Sequence, residues 1–397
     1  CSRPDLGRKN EFTQMGPIMS DDISSRDLAS VRKELAEAVG QSLDPLAEFE
    51  EQIEATFATQ DIDPFDIATA EVVEARDLTE RTQNEYERVF RQWGKYMESQ
   101  ERHPACPNEK HVKSFIEYER DTKDNADQTI LSKLERLNVA YEYWQDDPAF
   151  PHPREYNPFR LTKDKTEFSK EPRKKQPRIP IPELRDILST VTHIRDLAIL
   201  TMQLKLGLRA TELCNICLSD LNITNEELNR HYDRLGDCRM LKDRSNAVYI
   251  PHDREGNKSP CPRLLPIDEE LRQILTRYLL IRPTNGKPEL FLSKTRHLPI
   301  NKQAVNNVWK ETFHPEYIET DEYRAVTSHY GRHRFTTYWR VREGMNRELI
   351  KYMRGDRFGN SDADDRASIN DYIHTYYEDI EPVYRERIFN LTDDAIE

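Results

Sequence analysis

The 397-residue sequence has no run of about 18 apolar residues, which excludes a membrane-spanning helix. Its opening, CSRPDLGRKNEF, has no apolar stretch of the kind a cleaved signal peptide needs, so a cytoplasmic protein is expected, with Met15 or Met19 as its natural start. Cysteine is sparse, six residues scattered over the chain, which argues against a disulfide framework. Cys214, Cys217, Cys238 and Cys261 would count out four zinc ligands. Leu213, Ile216 and Cys217 fall at i, i+3 and i+4, however, so Cys217 is expected on the apolar face of a helix and no metal is expected. There is no Walker-type phosphate loop, no acidic metal cluster and no internal repeat. Lysine is also scarce, 20 residues against 39 arginines, and an acid excess with few lysines suits a halophile's salt-rich cytoplasm.

What is present is enough apolar and aromatic material for packed cores, 36% hydrophobic and 9% aromatic, in a chain long enough for two or three domains. The net charge of −13 is unevenly spread: residues 1–76 carry −10 and the remaining residues only −3. Between Arg154 and Arg178 the sign reverses, with nine Lys or Arg against four acids. Such a strap can neutralise phosphates, and Lys170, Arg173, Lys174 and Lys175 are its candidate nucleic-acid contacts.

The periodicity divides the chain into four parts. Residues 1–76 form an acidic lead-in of unassigned fold, with one short helix expected from Val31 to Val39 behind Ser30 and ended by Gly40. Residues 77–160 predict a helical domain. Tyr86, Val89, Phe90, Trp93, Tyr96 and Met97 make one stripe behind a Thr82-x-x-Glu85 capping box. A second helix starts after Asn108, and a third carries Ile130, Leu134, Leu137, Tyr141 and Trp144. Pro148, Pro151, Pro153 and Pro158 are expected to stop helix formation, so residues 161–180 read as a basic linker. Residues 181–397 predict a second domain, mainly helical with a small sheet. In it a helix ends at Gly207, AVYIP, RLLPI and ELFLS read as strands, and helices are centred on Val305–Trp309, after Ser328, on 346–353 and on 369–380. GNSDADDR reads as a flexible insertion before the last of these.

Four short features then follow in order: Gly207-Leu-Arg209-Ala-Thr-Glu212-Leu, Lys258 in the turn-like EGNKS, His329-Tyr-Gly-Arg332-His333, and Tyr372-Ile-His374. Each has an ordinary structural explanation by itself, whether a surface charge, a chance pair or a core tyrosine. Their combination, order and spacing, including the 120 residues from Arg209 to His329, resemble the tyrosine recombinase, or phage integrase, family over roughly residues 78–390.

The resemblance implies a helical core-binding domain and a mainly α catalytic domain with a small antiparallel sheet, forming a C-shaped clamp on DNA whose backbone the basic linker crosses. Arg209 and Arg332 would be the clamp on the scissile phosphate, with Glu212 a buried partner. Lys258 would be the general acid, with Lys242 as the lesser candidate, His329 a proton carrier or brace, and Tyr372 the nucleophile. The implied function is a site-specific recombinase that cuts and rejoins double-stranded DNA sites through a 3′-phosphotyrosine. It would act as a homotetramer on paired sites, with room for an accessory directionality factor, and need no cofactor or metal.

The chemistry suits these residue types. Attack by a phenol builds charge on non-bridging oxygens, which guanidinium forks hold bidentately without losing a proton. A phenol of ordinary pKa near 10 is barely ionised at neutral pH, so it needs a cationic site. There are two departures. The family's Leu-Gly-His is here Arg354-Gly355-Asp356, so Asp356 stands where a histidine is usual, as an acceptor tolerable only if aimed at Arg or Tyr. The 16 residues from Asp356 to Tyr372 also exceed the family's usual spacing. A non-cleaving DNA-binding protein of the same fold and a topoisomerase-like relaxing enzyme are the alternatives.

Overall fold

The computed structural model describes residues 28–40, 42–50, 63–76, 78, 80–169, 174–356 and 366–392. They divide into two compact units, within residues 1–171 and 172–397. Among the described residues no helix is long and apolar enough to cross a membrane.

The first unit is helical. Helix Glu80–Glu98 buries the expected stripe of Val89, Phe90, Trp93, Tyr96 and Met97. It starts two residues before Thr82, so Thr82 lies inside the first turn rather than capping it, and Glu80 is the acid at the positive end of the helix. Asn108 caps helix Glu109–Asp121, accepting from the His111 N–H at 3.2 Å while His111 Nδ1 accepts from the Asn108 N–H. Helix Asp127–Asp146 packs Leu134, Leu137, Tyr141 and Trp144 on the same core. Trp93 meets Phe115 edge-on, with centroids 5.1 Å apart.

The N-terminal region is less formless than its composition suggests. Helix Leu28–Ala38 begins before Ser30, which is therefore inside it. Residues 63–76 fold onto the aromatic core through Phe65, Ala68 and Val73, with Asp63 capping the turn at Pro64. The proline run ends helix Asp127–Asp146 just before Pro148, and no helix forms again before Pro158, but this last proline does not stop helix formation. Pro158 opens helix Pro158–Lys165, whose first turn is capped by Asn157 and whose Phe159 is buried in this unit's core. Proline is at home at the first helical position, where its missing N–H has no intrahelical partner anyway.

The second unit is built around helix Ile194–Leu206, which is buried on nearly every side. It packs against helices Ser328–Thr337 and Glu269–Ile281. Gly207 ends it in the left-handed conformation, φ 65°, and a Cβ there would come within 2.5 Å of the Phe335 ring, so both backbone angle and packing require glycine.

The sheet is antiparallel in the order β1 (Leu221–Asn222), β2 (Ala247–Ile250), β3 (Arg263–Pro266). The β2 and β3 strands are AVYIP and RLLPI, pairing Val248 with Leu265. ELFLS is not a strand: its residues make only single bridges, Cys217 to Glu289 and Leu292 to Pro299. Its apolar residues Leu290 and Phe291 are instead buried in the helical core. The third strand, two residues long, carried too little pattern to be read. Cys217 also departs from expectation. Helix Ala210–Cys214 ends before it, and it starts a one-turn helix at Leu218–Asp220. Among the described residues no group of three or more His, Cys, Asp or Glu could hold a metal ion.

Candidate active site

The site begins at the junction of two helices. After Gly207 turns the chain and Leu208 enters the core, Arg209 stands at the N-cap of helix Ala210–Cys214. Glu212, in the first turn, reaches back to accept from the Arg209 N–H at 2.8 Å. The Gly-Leu-Arg-x-x-Glu pattern is thus a local folding instruction: a glycine stop, an apolar anchor, a cap and a back-bonding acid.

Glu212 is fully buried and is met by Arg263 of β3, also fully buried, at 2.8 Å. The hydroxyl of Ser259 bonds both Glu212 and the Arg209 guanidinium, and Arg209 Nη1 lies 3.3 Å from Glu212. Burial alone would raise the Glu212 carboxyl, but the charge and hydrogen bond of Arg263, with Ser259 and the Arg209 N–H, hold it at about 2.

Arg263 also donates to the Met353 carbonyl at 2.8 Å. Gly355, at φ 67°, passes so close that a Cβ would lie 2.5 Å from the Arg263 guanidinium. Arg263 and Ser259 therefore tie β3 and the β2–β3 connection to the Arg354-Gly355-Asp356 turn. Sequence reasoning read Arg263 only as part of a strand and missed both residues, since their partners are remote in sequence.

Removing Glu212 leaves Arg263 buried without its counter-charge. Glu212→Ala should cost the second unit about 3–5 kcal/mol in urea unfolding followed by a probe of that unit. Because the folded carboxyl titrates at about 2 rather than the ordinary 4.5, its contribution is complete above pH 4.5 and disappears as pH falls toward 2.

The second guanidinium arrives on helix Ser328–Thr337, where His329, Arg332 and His333 fall at i, i+3 and i+4 on one side. Arg332 is buried, 3% exposed, and donates to the Gly207 carbonyl at 3.0 Å, which fixes it beside Arg209. Burial, then the charges of Arg209 and Arg263, push it down to about 9, which leaves it charged at neutral pH. His329 and His333 are exposed, with ring centroids 4.7 Å apart. Desolvation and then neighbouring cations lower both, so at neutral pH each is an uncharged imidazole able to accept and donate.

Asp356 completes the cluster. Its Oδ1 accepts from Arg332 Nη2 at 2.8 Å and Arg209 Nη2 at 3.4 Å, so two guanidinia from separate motifs converge on one oxygen. This is the arginine-directed orientation the sequence required of it. Its Oδ2 lies 2.8 Å from Arg354 Nε.

The other expected residues are placed less completely. Lys258 is exposed on the β2–β3 connection, one residue before Ser259, in a loop anchored by Arg254 to Asp220. Lys242 is exposed ahead of β2. Tyr372 belongs to helix Arg366–Arg387, but its side chain and that of His374 lie outside the described residues, as does GNSDADDR up to Asp365. Of the stripe expected on that helix, Ile373 and Ile380 are buried, Tyr376 is not, and the side chain of Ile369 lies outside the described residues. Among its described side chains Ile373, Tyr377, Ile380 and Tyr384 are buried, while Tyr376 is half-buried with its ring stacked on Tyr352 at 5.1 Å. Tyr377 is therefore the core residue, lying under Arg244, and burial pushes its hydroxyl well up. Tyr352 fastens this helix to the sheet: its hydroxyl accepts from the Leu264 N–H at 3.0 Å and lies 3.0 Å from the Ile373 carbonyl.

Of the strap residues, Lys170 and Arg173 lie outside the described residues. Lys174 pairs with Glu319 at 2.7 Å and Lys175 with Glu322 at 3.1 Å. Lys175 also makes a backbone bridge with Tyr323.

Residues 178–357, which hold all of this cluster, match the phage integrase family. The tyrosine recombinase XerA of Pyrococcus horikoshii is 28% identical over 173 residues, 44% of this chain and 50% of the relative. The match thus spans about half of that relative's length. The Tn1549 transposon integrase, solved with a circular intermediate DNA, is 18% identical and superposes with a TM-score of 0.53, covering 78% of this chain and 93% of that one. A lambda integrase dimer bound to a COC′ core site is 14% identical, with a TM-score of 0.54 over 95% of this chain and 91% of that one. At these identities the two structures speak for the fold alone. Residues 178–357 are thus similar to the phage integrase family, and the chain shares the fold of those integrases.

Proposed function

We propose that this protein is a site-specific DNA recombinase that cleaves and rejoins DNA strands through a covalent 3′-phosphotyrosine. The observation that carries the reading is the convergence of Arg209 and Arg332 on a single anionic oxygen, with Arg209 braced by a buried Glu212–Arg263–Ser259 set and Arg332 by the Gly207 carbonyl. A phosphodiester oxygen in that seat gains two charge-assisted donors as negative charge develops. In this reading Tyr372 attacks phosphorus and the leaving 5′-oxygen takes a proton from Lys258. His329, held neutral, moves the proton or braces the phosphate. The phosphotyrosine keeps the energy of the broken linkage, so rejoining needs no nucleotide cofactor.

Residues 77–160 act as the core-binding domain together with the rest of helix Pro158–Lys165 that packs with them, the basic residues after that helix up to 180 as the linker, and 181–397 as the catalytic domain. The partners are double-stranded DNA sites held by a homotetramer. The test is a suicide duplex that loses its 5′ fragment after nicking: the parental protein should become covalently attached. Asp356, seated between the two arginines, is the observation that favours the alternative of a non-cleaving DNA-binding protein, for which no attachment would form. Recombination between two sites, rather than relaxation alone, separates the recombinase from a topoisomerase-like enzyme.

The strap makes a smaller contribution. Exposed pairs such as Lys174–Glu319 are weak, so DNA phosphates can take over these cations. Replacing Lys170, Arg173, Lys174 and Lys175 by Ala should weaken binding and reduce the slope of log affinity against log salt by about 0.9 for each phosphate left without its cation. An unchanged slope would make the strap a solvated linker only.

A further inference from the structure

We propose that Asp356 is an internal anion that occupies the phosphate seat of the DNA-free protein and moves to Arg354 when a phosphate arrives. This inference rests on the reading of the site as a phosphate clamp. The oxygen shared by Arg209 Nη2 and Arg332 Nη2 belongs to a carboxylate of this chain, and it lies where a non-bridging phosphate oxygen would meet both forks. Both cannot fit there: the distances of 3.4 and 2.8 Å leave no room for a second oxygen in line with the same two donors.

A second seat is already in place. Arg354 Nε is buried and, among the described residues, has no hydrogen-bond partner, although Asp356 Oδ2 is only 2.8 Å away, because that approach is poorly aligned. The Arg354 guanidinium is itself held by a bond from Nη1 to Thr336 Oγ1 at 3.1 Å. A small rotation of the carboxylate toward Arg354 would satisfy that donor and clear Oδ1 from the clamp. Asp356 can make this rotation because it follows the Gly355 helix stop and its side chain is 28% exposed, whereas the buried Arg332 stays where it is.

The charges agree with such an exchange. Among the described residues Arg209, Arg263, Arg332 and Arg354 pair with Glu212 and Asp356, four cations against two anions, so the cluster accepts one further negative charge once Asp356 has moved. While Asp356 is seated, a free anion must displace a tethered one, and a tethered group competes at high effective concentration. A DNA phosphate, delivered by the many other contacts of a bound duplex, has the same advantage; inorganic phosphate does not. The carboxylate therefore screens the clamp from small anions, and it holds the two forks in their working orientation.

The experiment is calorimetric titration of the full-length protein with inorganic phosphate, in the parental form and as Asp356→Asn, at fixed chloride. Removing the resident charge should tighten phosphate binding about tenfold, the factor that corresponds to about 1.4 kcal/mol. The gain should vanish in the Asp356→Asn, Arg332→Ala double variant, which locates it at the clamp rather than at surface cations. Asp356→Ser serves as a second uncharged variant, and unchanged thermal melting certifies that either is folded. A folded uncharged variant that binds phosphate no tighter than the parent would overturn the proposal and leave Asp356 as a fixed positioning residue. Attachment of the parental protein to a suicide duplex is scored separately, so failure of the recombinase reading is distinguishable from failure of this one.

Discussion

Arg332→Ala should reduce single-turnover cleavage of a suicide duplex by about 10²–10³-fold, the loss that accompanies removal of one donor aimed at developing charge. Arg209→Ala should fall in the same range. The two are not equivalent structurally. Arg332 is buried and its other fork tooth is on the Gly207 carbonyl, so its removal also leaves that carbonyl and Asp356 short of a donor. Arg209 is 26% exposed by its side chain and is steered by Ser259 and Glu212. Arg332→Lys keeps the charge but not the planar fork, and should recover only part of the loss. DNA binding should change little in all three, because a bound duplex makes many other phosphate contacts. Cleavage at the parental rate by either alanine variant would remove the clamp from the mechanism.

The second large effect belongs to Tyr372, the proposed nucleophile. Tyr372→Phe should bind its DNA site normally and form no covalent adduct, since only the attacking oxygen is lost. Its neighbours have other work. Tyr377 is fully buried between the sheet and Arg244, and Tyr376 lies flat on Tyr352. Tyr377→Phe should therefore still form the adduct, with any deficit confined to stability.

How much of this was legible in the sequence depended on range. Gly207, Arg209 and Glu212 could be read because their interactions are a helix stop, a cap and a back-bond within six residues. His329 and Arg332 could be paired because residues three and four apart on a helix share a side. Arg263, Ser259 and Arg354 could not, because each acquires its role from a partner between 47 and 90 residues away or from the turn at Gly355. The last helix shows a second kind of failure. Of the plausible stripe Ile369, Ile373, Tyr376 and Ile380, Ile373 and Ile380 are buried, yet among the described side chains the buried face continues through Tyr377 and Tyr384 rather than Tyr376. With tyrosines at adjacent positions, periodicity cannot say which ring faces the sheet; Tyr352 and Arg244 decide it, and both come from other elements. ELFLS failed for a related reason, since a short apolar run looks alike in a strand and in a buried loop.

The most direct measurement is to trap the parental protein on a suicide duplex, digest the complex and locate the nucleotide-bearing peptide by mass spectrometry. The account predicts a single modified residue, Tyr372, in the peptide that also carries His374. A nucleotide on Tyr376 or Tyr377, or no covalent complex from a protein that binds the duplex, would contradict it.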